Sequence, residues 1–485
     1  MTLHMGSHFD LSRLCNRMPT QIKTLESTLG QAATLRVRQK RDLTSGNLGK
    51  HILALSLPSS AEMALFSAID LVHAFWLGRL GGTALAAVAM SNTLRLVLIS
   101  PMMGLSVGGM ALVARHVGAR DQRRADQATM QTILLIILFA IPLVVVGELM
   151  GRTFLVWMGA EGTLLEEAVV YLRIIFAGLF FMECLPTLSA VIRGAGHPEY
   201  TLRINIASII AMMLLEPLLV FGLGPIPRLG VQGAALASVL SSAVGVAGQA
   251  IILLRGSAGV RIHRQDLRPD LGMMGRILKI TLPTSAQRFS PNLTNALLIS
   301  LVSTFGTDVL TAYSIVTRLV SFLQSPTFGL GIATATLVGQ NLGAREPGRA
   351  ERATNLASLS SLASSVLIFG LLSIWAAPIL SLFDRTEAVL AAGVIAAPYF
   401  LLVSSASGWA QIVGSALGGA GDTVAWMWIN IGSLWLVQLP LSWALSHGLH
   451  LGPVGIWLGL GISFVVGAVA LTLRFRRGHW KTIAV

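Results

Sequence analysis

Charge is scarce in this 485-residue chain: Asp, Glu, Lys and Arg together make up 12% of it, where soluble domains carry about 25%. With 54% hydrophobic residues and a mean hydropathy of +0.72, a soluble globular protein is excluded. Cysteine is scarcer still, with Cys15 in a polar stretch and Cys184 in an apolar one. That excludes a disulfide framework and a thiolate metal site. Residues 1–50 lack the apolar run of a secretory signal, and read as a basic cytosolic tail. No HExxH pair, GxxxxGK[ST] loop or dinucleotide fingerprint occurs, so neither ATP hydrolysis nor redox chemistry is supported and no cofactor is expected.

What the chain has instead is a series of long apolar runs. A spanning helix needs about 20 apolar residues. Runs of that length bounded by Gly, Pro or charge fall at 51–77, 87–113, 127–149, 167–192, 201–222, 231–254, 276–302, 310–338, 354–377, 388–416, 424–446 and 452–473. The reading is an all-α polytopic membrane protein of about twelve transmembrane helices. The formal charge of +13 would in a soluble protein suggest nucleic acid. Here the basic residues gather on one side: in the tail, at Arg115, Arg120, Arg123 and Arg124, at Arg193 and Arg203, at Arg255 to Lys279, at Arg345 to Arg352 and at the C-terminus. The positive-inside rule then puts both termini in the cytosol, with the basic loops touching anionic lipid rather than nucleic acid.

The chain also repeats itself at an offset of 225 residues. Leu57-Pro58 falls on Leu282-Pro283, Gly104-Leu105 on Gly329-Leu330, Gly118 to Asp121 on Gly343 to Glu346, and Gly194 to Gly196 on Gly419 to Gly421. The expected organisation is a tail (1–50), a six-helix lobe (51–255), a cytosolic linker (256–275), a second six-helix lobe (276–475) and a short tail (476–485). Six is even, so both copies enter the bilayer from the same side and an axis along the membrane normal relates them. Two such bundles facing each other across a cleft suit alternating access.

The stretch Gly329 to Ala344, its first-half counterpart ending Val117-Gly118-Ala119, and Gly418 to Thr423 resemble the MATE (multidrug and toxic compound extrusion) family over roughly 50–475. The resemblance implies twelve helices in two lobes and export of organic, often cationic, compounds driven by H+ or Na+. The first helix carries Leu71-Val72-His73 before Gly78-Arg79-Leu80-Gly81, so His73 stands where the family has an Asp, with Asp70 one turn earlier. In the DinF-type branch that Asp works with an Asn, an Asp and a Thr, and here those positions read Met212, Glu216 and Ser238. The acids of the NorM-type branch are replaced by Ser290-Pro291 and Gly408. The pattern is closer to the DinF type.

Each ionisable group inside the membrane needs a reason, since a charge at the bilayer centre costs about 2.5–3.5 kcal/mol on insertion scales. Glu62, Asp70 and His73 share one face of the first helix, and with Glu216 and Ser238 they form the candidate coupling set. Pro58, four residues before Glu62, is a candidate hinge. Phe181, Met212, Gln287, Asn292, Trp409 and Gln411 are candidate substrate contacts in an otherwise apolar cavity. Glu183 and Arg95 are either cleft-lining or paired structurally. The expected activity is exchange of a lipophilic or cationic organic compound for H+, with Na+ as the alternative ion, by a monomer in a bacterial inner membrane. A flippase for lipid-linked saccharides is the runner-up, although only Arg95, Arg288 and Arg318 are evident intramembrane cations. An intramembrane aspartyl protease could cite Gly419-Ala420-Gly421-Asp422, but the matching first-half position is His197, which leaves no second catalytic Asp.

Overall fold

A computed structural model describes residues 42–222 and 227–483, apart from the side chains of Ala68, Asp70, Leu71 and Arg264. Most of the expected tail, with Cys15, lies outside the described residues. The helices are α1 (Leu48–Gly78), α2 (Gly82–Gly118), α3 (Gln122–Trp157), α4 (162–194), α5 (Pro198–Phe221), α6 (Val231–Arg255), α7 (Leu271–Ser303), α8 (307–343), α9 (Pro347–Ile374), α10 (Glu387–Ala420), α11 (Thr423–Gly448) and α12 (Pro453–Arg476). They coincide with the twelve apolar runs. Among the described residues, nine are long and apolar enough to cross a membrane, and the halves of α4, bent by 52°, make a tenth. Arg276, Lys279 and Arg288 make α7 more polar, and α8 is divided at Gln324.

Proline explains the internal breaks. The helical hydrogen bonding of α2 is interrupted at Ser100–Met102, around Pro101, and that of α8 just before Pro326. These prolines are repeat mates, and each opens a new helical turn, where a missing N–H costs nothing. By contrast α1 runs unbroken through Pro58. Each lobe has its own core: Leu112, Leu135 and Phe176 are fully buried in the first, as is Val302 in the second, where Phe369 and Trp457 are almost so.

The lobes meet along a seam that obeys the repeat. Ser60 Oγ donates to the carbonyl of Pro326 at 3.4 Å, and its mate Ser285 Oγ donates to the carbonyl of Pro101 at 2.9 Å. A methyl on Gly104 would overlap the Thr281 carbonyl, and one on Gly329 would overlap Ser60 Oγ. Nearer the helix ends, a methyl on Gly118 would collide with the Gln340 carbonyl, and one on its mate Gly343 with the Arg115 carbonyl. Residue i touching j while the mate of j touches the mate of i is the signature of a two-fold axis. Here it is a pseudo-two-fold inside one chain. Gln340 Nε2 adds a bond to the Gly194 carbonyl at 2.8 Å.

The seam occupies the half of the molecule that carries the linker. Gln131 on α3 stitches the linker down, donating to the carbonyls of Asp266 and Arg268 and accepting from Asp270 N, all at 3.0 Å. Asp126 accepts from Arg261 N at 2.7 Å. Farther from the linker than Ser60 and Ser285, no side-chain hydrogen bond joins the lobes among the described residues. There Phe75, Asn292 and Asn295 are exposed, as expected for a cleft open at the opposite end.

Candidate functional site

The first lobe holds a partly open cavity of about 190 Å³ between α1, α2, α4, α5 and α6. His73 reaches it from α1, Asn92 and Arg95 from α2, Tyr171 from α4, Met212 from α5 and Ser238 from α6. Helical spacing accounts for the grouping: Asn205, Ser208, Ile209 and Met212 recur every three or four residues and so present one face of α5.

Two acid–base contacts set the electrostatics. His73 Nδ1 lies 2.5 Å from Oε1 of Glu216. Glu216 is completely buried, and neither of its oxygens has a hydrogen bond of regular geometry, so among the described residues the imidazole is its one ion-pair contact. Arg95 Nη1 stands 3.6 Å from Oε1 of Glu183, so the two charges the sequence left open are both paired and, for Arg95, on the cavity wall. Asp70 belongs to the same helix, and its side chain lies outside the described residues.

Glu62 sits elsewhere. Its Oε1 accepts from Arg193 Nη1 at 2.6 Å and from Asn205 Nδ2 at 2.7 Å, and its Oε2 accepts from Thr201 Oγ1 at 2.9 Å. A buried carboxylate held by a guanidinium and two further donors is saturated, which is what makes such burial tolerable. Arg193, expected in a loop, is instead buried at the end of α4, and its carbonyl accepts from Thr336 Oγ1 of the second lobe at 3.3 Å. Asn205 links this cluster to the cavity it lines.

Of the other candidates, Met212 and Ser238 line the cavity, and the Ser238 hydroxyl donates to the Ala234 carbonyl of its own helix at 3.0 Å. Phe181 is partly exposed, edge-on to Phe180. Gln287 is buried with an unpaired Oε1, whereas Asn292 is exposed. Trp409 Nε1 donates to Thr472 Oγ1 at 3.0 Å and Gln411 Nε2 to Ser415 Oγ at 3.4 Å, bonds internal to the second lobe. Sequence reasoning missed Asn92, Tyr171, Asn205 and Ser241. Asn92 three residues before Arg95 on an apolar helix was the available signal.

A family model described as MatE matches residues 58–218 and 283–444, one copy in each lobe. The chain is 28% identical over 438 residues to a probable multidrug resistance protein, YoeA, of Bacillus subtilis, covering 88% of this chain and 92% of that one. It is 26% identical over 437 residues to a FAD transporter of Shewanella oneidensis, covering 90% and 96%. A crystal structure of a MATE protein in a bent conformation superimposes with a TM-score of 0.84 at 24% identity, covering 91% of this chain and 98% of that one. With the family's model matched in both lobes and relatives aligned over nearly their whole length, this protein belongs to the MATE family of multidrug efflux transporters and is a membrane transporter, not an enzyme.

Proposed function

We propose that this protein is a proton-coupled exporter of amphipathic organic compounds, acting as a monomer in a bacterial inner membrane with both termini in the cytosol. Arg123, Arg124, Arg345, Arg352, Arg476 and Arg477 all stand at the ends of helices on the side of the seam, which favours that orientation. The closed seam then faces the cytosol and the cleft opens outward, one of the two states that alternating access requires.

The observation that carries the coupling is the His73–Glu216 contact. A carboxylate and an imidazole in direct contact can pass a proton between them, which is the step that proton coupling needs. Hard cations such as Na+ call for several oxygen ligands, and among the described residues Glu216 meets a ring nitrogen rather than a second oxygen, which favours H+. The preference for cations expected from the sequence would draw on Glu183 and Glu216, and each already meets a base, Arg95 and His73. One relative bears the name FAD transporter, so the substrate's charge is a separate question.

The test is pH-gradient-driven transport of fluorescent organic compounds in proteoliposomes, comparing wild type with His73→Ala and Glu216→Gln. The reading expects both variants to lose the response to the pH gradient. Transport that follows a Na+ gradient alone, or persists unchanged in both variants, sinks it.

A further inference from the structure

The second lobe lines the cleft very differently from the first. On α7, Thr281, Ser285, Arg288, Asn292 and Asn295 are spaced 4, 3, 4 and 3 apart and form one helix face. Thr281 and Ser285 pack against Gly104 of the first lobe at the seam. The same face continues upward with Arg288, Asn292 and Asn295 exposed, so it looks into the gap between the lobes. Arg288 is therefore accessible from that gap.

On α8 the buried face is Ala312, Tyr313, Val316 and Val320, and the opposite face carries Ser314, Arg318 and Ser321. An exposed polar face with an arginine in mid-membrane belongs against water rather than lipid. Tyr313 Oη donates to Asn295 Oδ1 at 3.0 Å and ties the two helices together. Neither Arg288 nor Arg318 has an acid or hydrogen-bond partner for its guanidinium among the described residues. Every acid of the lobe, namely Asp308, Glu346, Glu351, Asp384, Glu387 and Asp422, sits in a loop or within the first five residues of a helix.

Two guanidinium groups on the second lobe's face of the cleft, with no carboxylate partner among the described residues, call for an anion. We infer that the second lobe's face of the cleft, through Arg288 and Arg318, binds the carboxylate or phosphate of the transported compound, so that the substrates are amphipathic organic anions or zwitterions. The inference rests on the exporter reading for the words transported and substrate; the anion site itself stands on the two arginines. The planar guanidinium suits two-point contact with such groups, and Asn292 adds a donor one turn above Arg288.

The test begins with equilibrium binding to the full-length protein in detergent at fixed pH, followed by anisotropy. Carboxyfluorescein is the anionic probe and rhodamine 6G, which shares its ring system, the cationic one. Arg288→Gln and Arg318→Gln should each weaken carboxyfluorescein binding at least tenfold, Arg288→Lys should restore part of it, and rhodamine 6G should bind as before or more tightly. Preference for rhodamine 6G, or carboxyfluorescein binding indifferent to both substitutions, overturns the inference even if proton-driven transport is intact. Arginine-dependent binding without pH-driven movement in proteoliposomes upholds the anion site and sinks the proton-exchange reading. Displacement of the probe by glycerol 3-phosphate marks a soluble ligand. Displacement by phosphatidylglycerol alone marks a lipid headgroup on the same arginines.

Discussion

Placing a methyl group on Gly118 or Gly343 should push the transporter out of the state in which the seam is closed. At both positions the added carbon meets backbone: the carbonyl of Gln340 in one case, the carbonyl of Arg115 and the amide of Ala119 in the other. Backbone cannot rotate aside as a side-chain tip can, so the helices must move apart. Overpacking of this kind costs about 1–3 kcal/mol, and with no flexible atom to yield, the upper part of that range applies. Since about 1.4 kcal/mol is a factor of ten, each substitution should move the balance of closed and open seams by roughly one to two orders of magnitude. The two sites touch the same pair of helices, so the costs should not add: once one methyl has parted the seam, the second meets less resistance. Pulsed electron resonance between spin labels at Arg123 and Arg352, in a background lacking Cys15 and Cys184, reads the separation directly. Gly118→Ala and Gly343→Ala should each add a longer-distance population, and the double variant should exceed either single variant by less than their combined shift. An unchanged distance distribution in both single variants would refute the reasoning.

Three further outcomes follow from described contacts. Glu62→Gln leaves Arg193 buried opposite a neutral amide, which should destabilise the protein by about 3–5 kcal/mol; a thermal melt in detergent no lower than wild type would contradict it. Glu216→Gln removes a charge that among the described residues has no hydrogen bond and one ion-pair contact, to His73, so the melt should stay near wild type while the pH response of transport disappears. Gln131→Ala deletes three hydrogen bonds to the linker, at about 1 kcal/mol each. Trypsin should then cut sooner between Arg261 and Arg268, as timed digestion would report.

Periodicity and repetition made much of this legible in the sequence. The twelve apolar runs located every helix, and the 225-residue offset that aligned Gly118 with Gly343 turned out to align contacts as well, since the partners Arg115 and Gln340 are mates too. The breaks at Pro101 and Pro326 were invisible to a reading of long runs, which averages hydropathy across an interruption of a few residues. Arg193 read as a loop residue because it precedes Gly194-Ala195-Gly196, and nothing local reveals that it turns inward to Glu62. The shared face of Glu62 and His73 is a true consequence of helical spacing, but eleven residues of helix separate them, so one meets Arg193 and the other Glu216. Trp409 and Gln411 looked like cavity residues on polarity alone, while their hydrogen bonds run to Thr472 and Ser415 of their own lobe.

The arginines on the second lobe's wall also bear on electrical work. Exchange of a monovalent cation for one proton moves no net charge, so it draws only on the pH difference. An anion leaving as a proton enters carries two elementary charges in the same electrical direction. At a membrane potential of 100 mV that is worth about 4.6 kcal/mol, or roughly three orders of magnitude in concentration. A transporter whose cargo is held by Arg288 and Arg318 would therefore keep expelling it in alkaline surroundings, where the pH gradient has collapsed and an exporter of cations stalls.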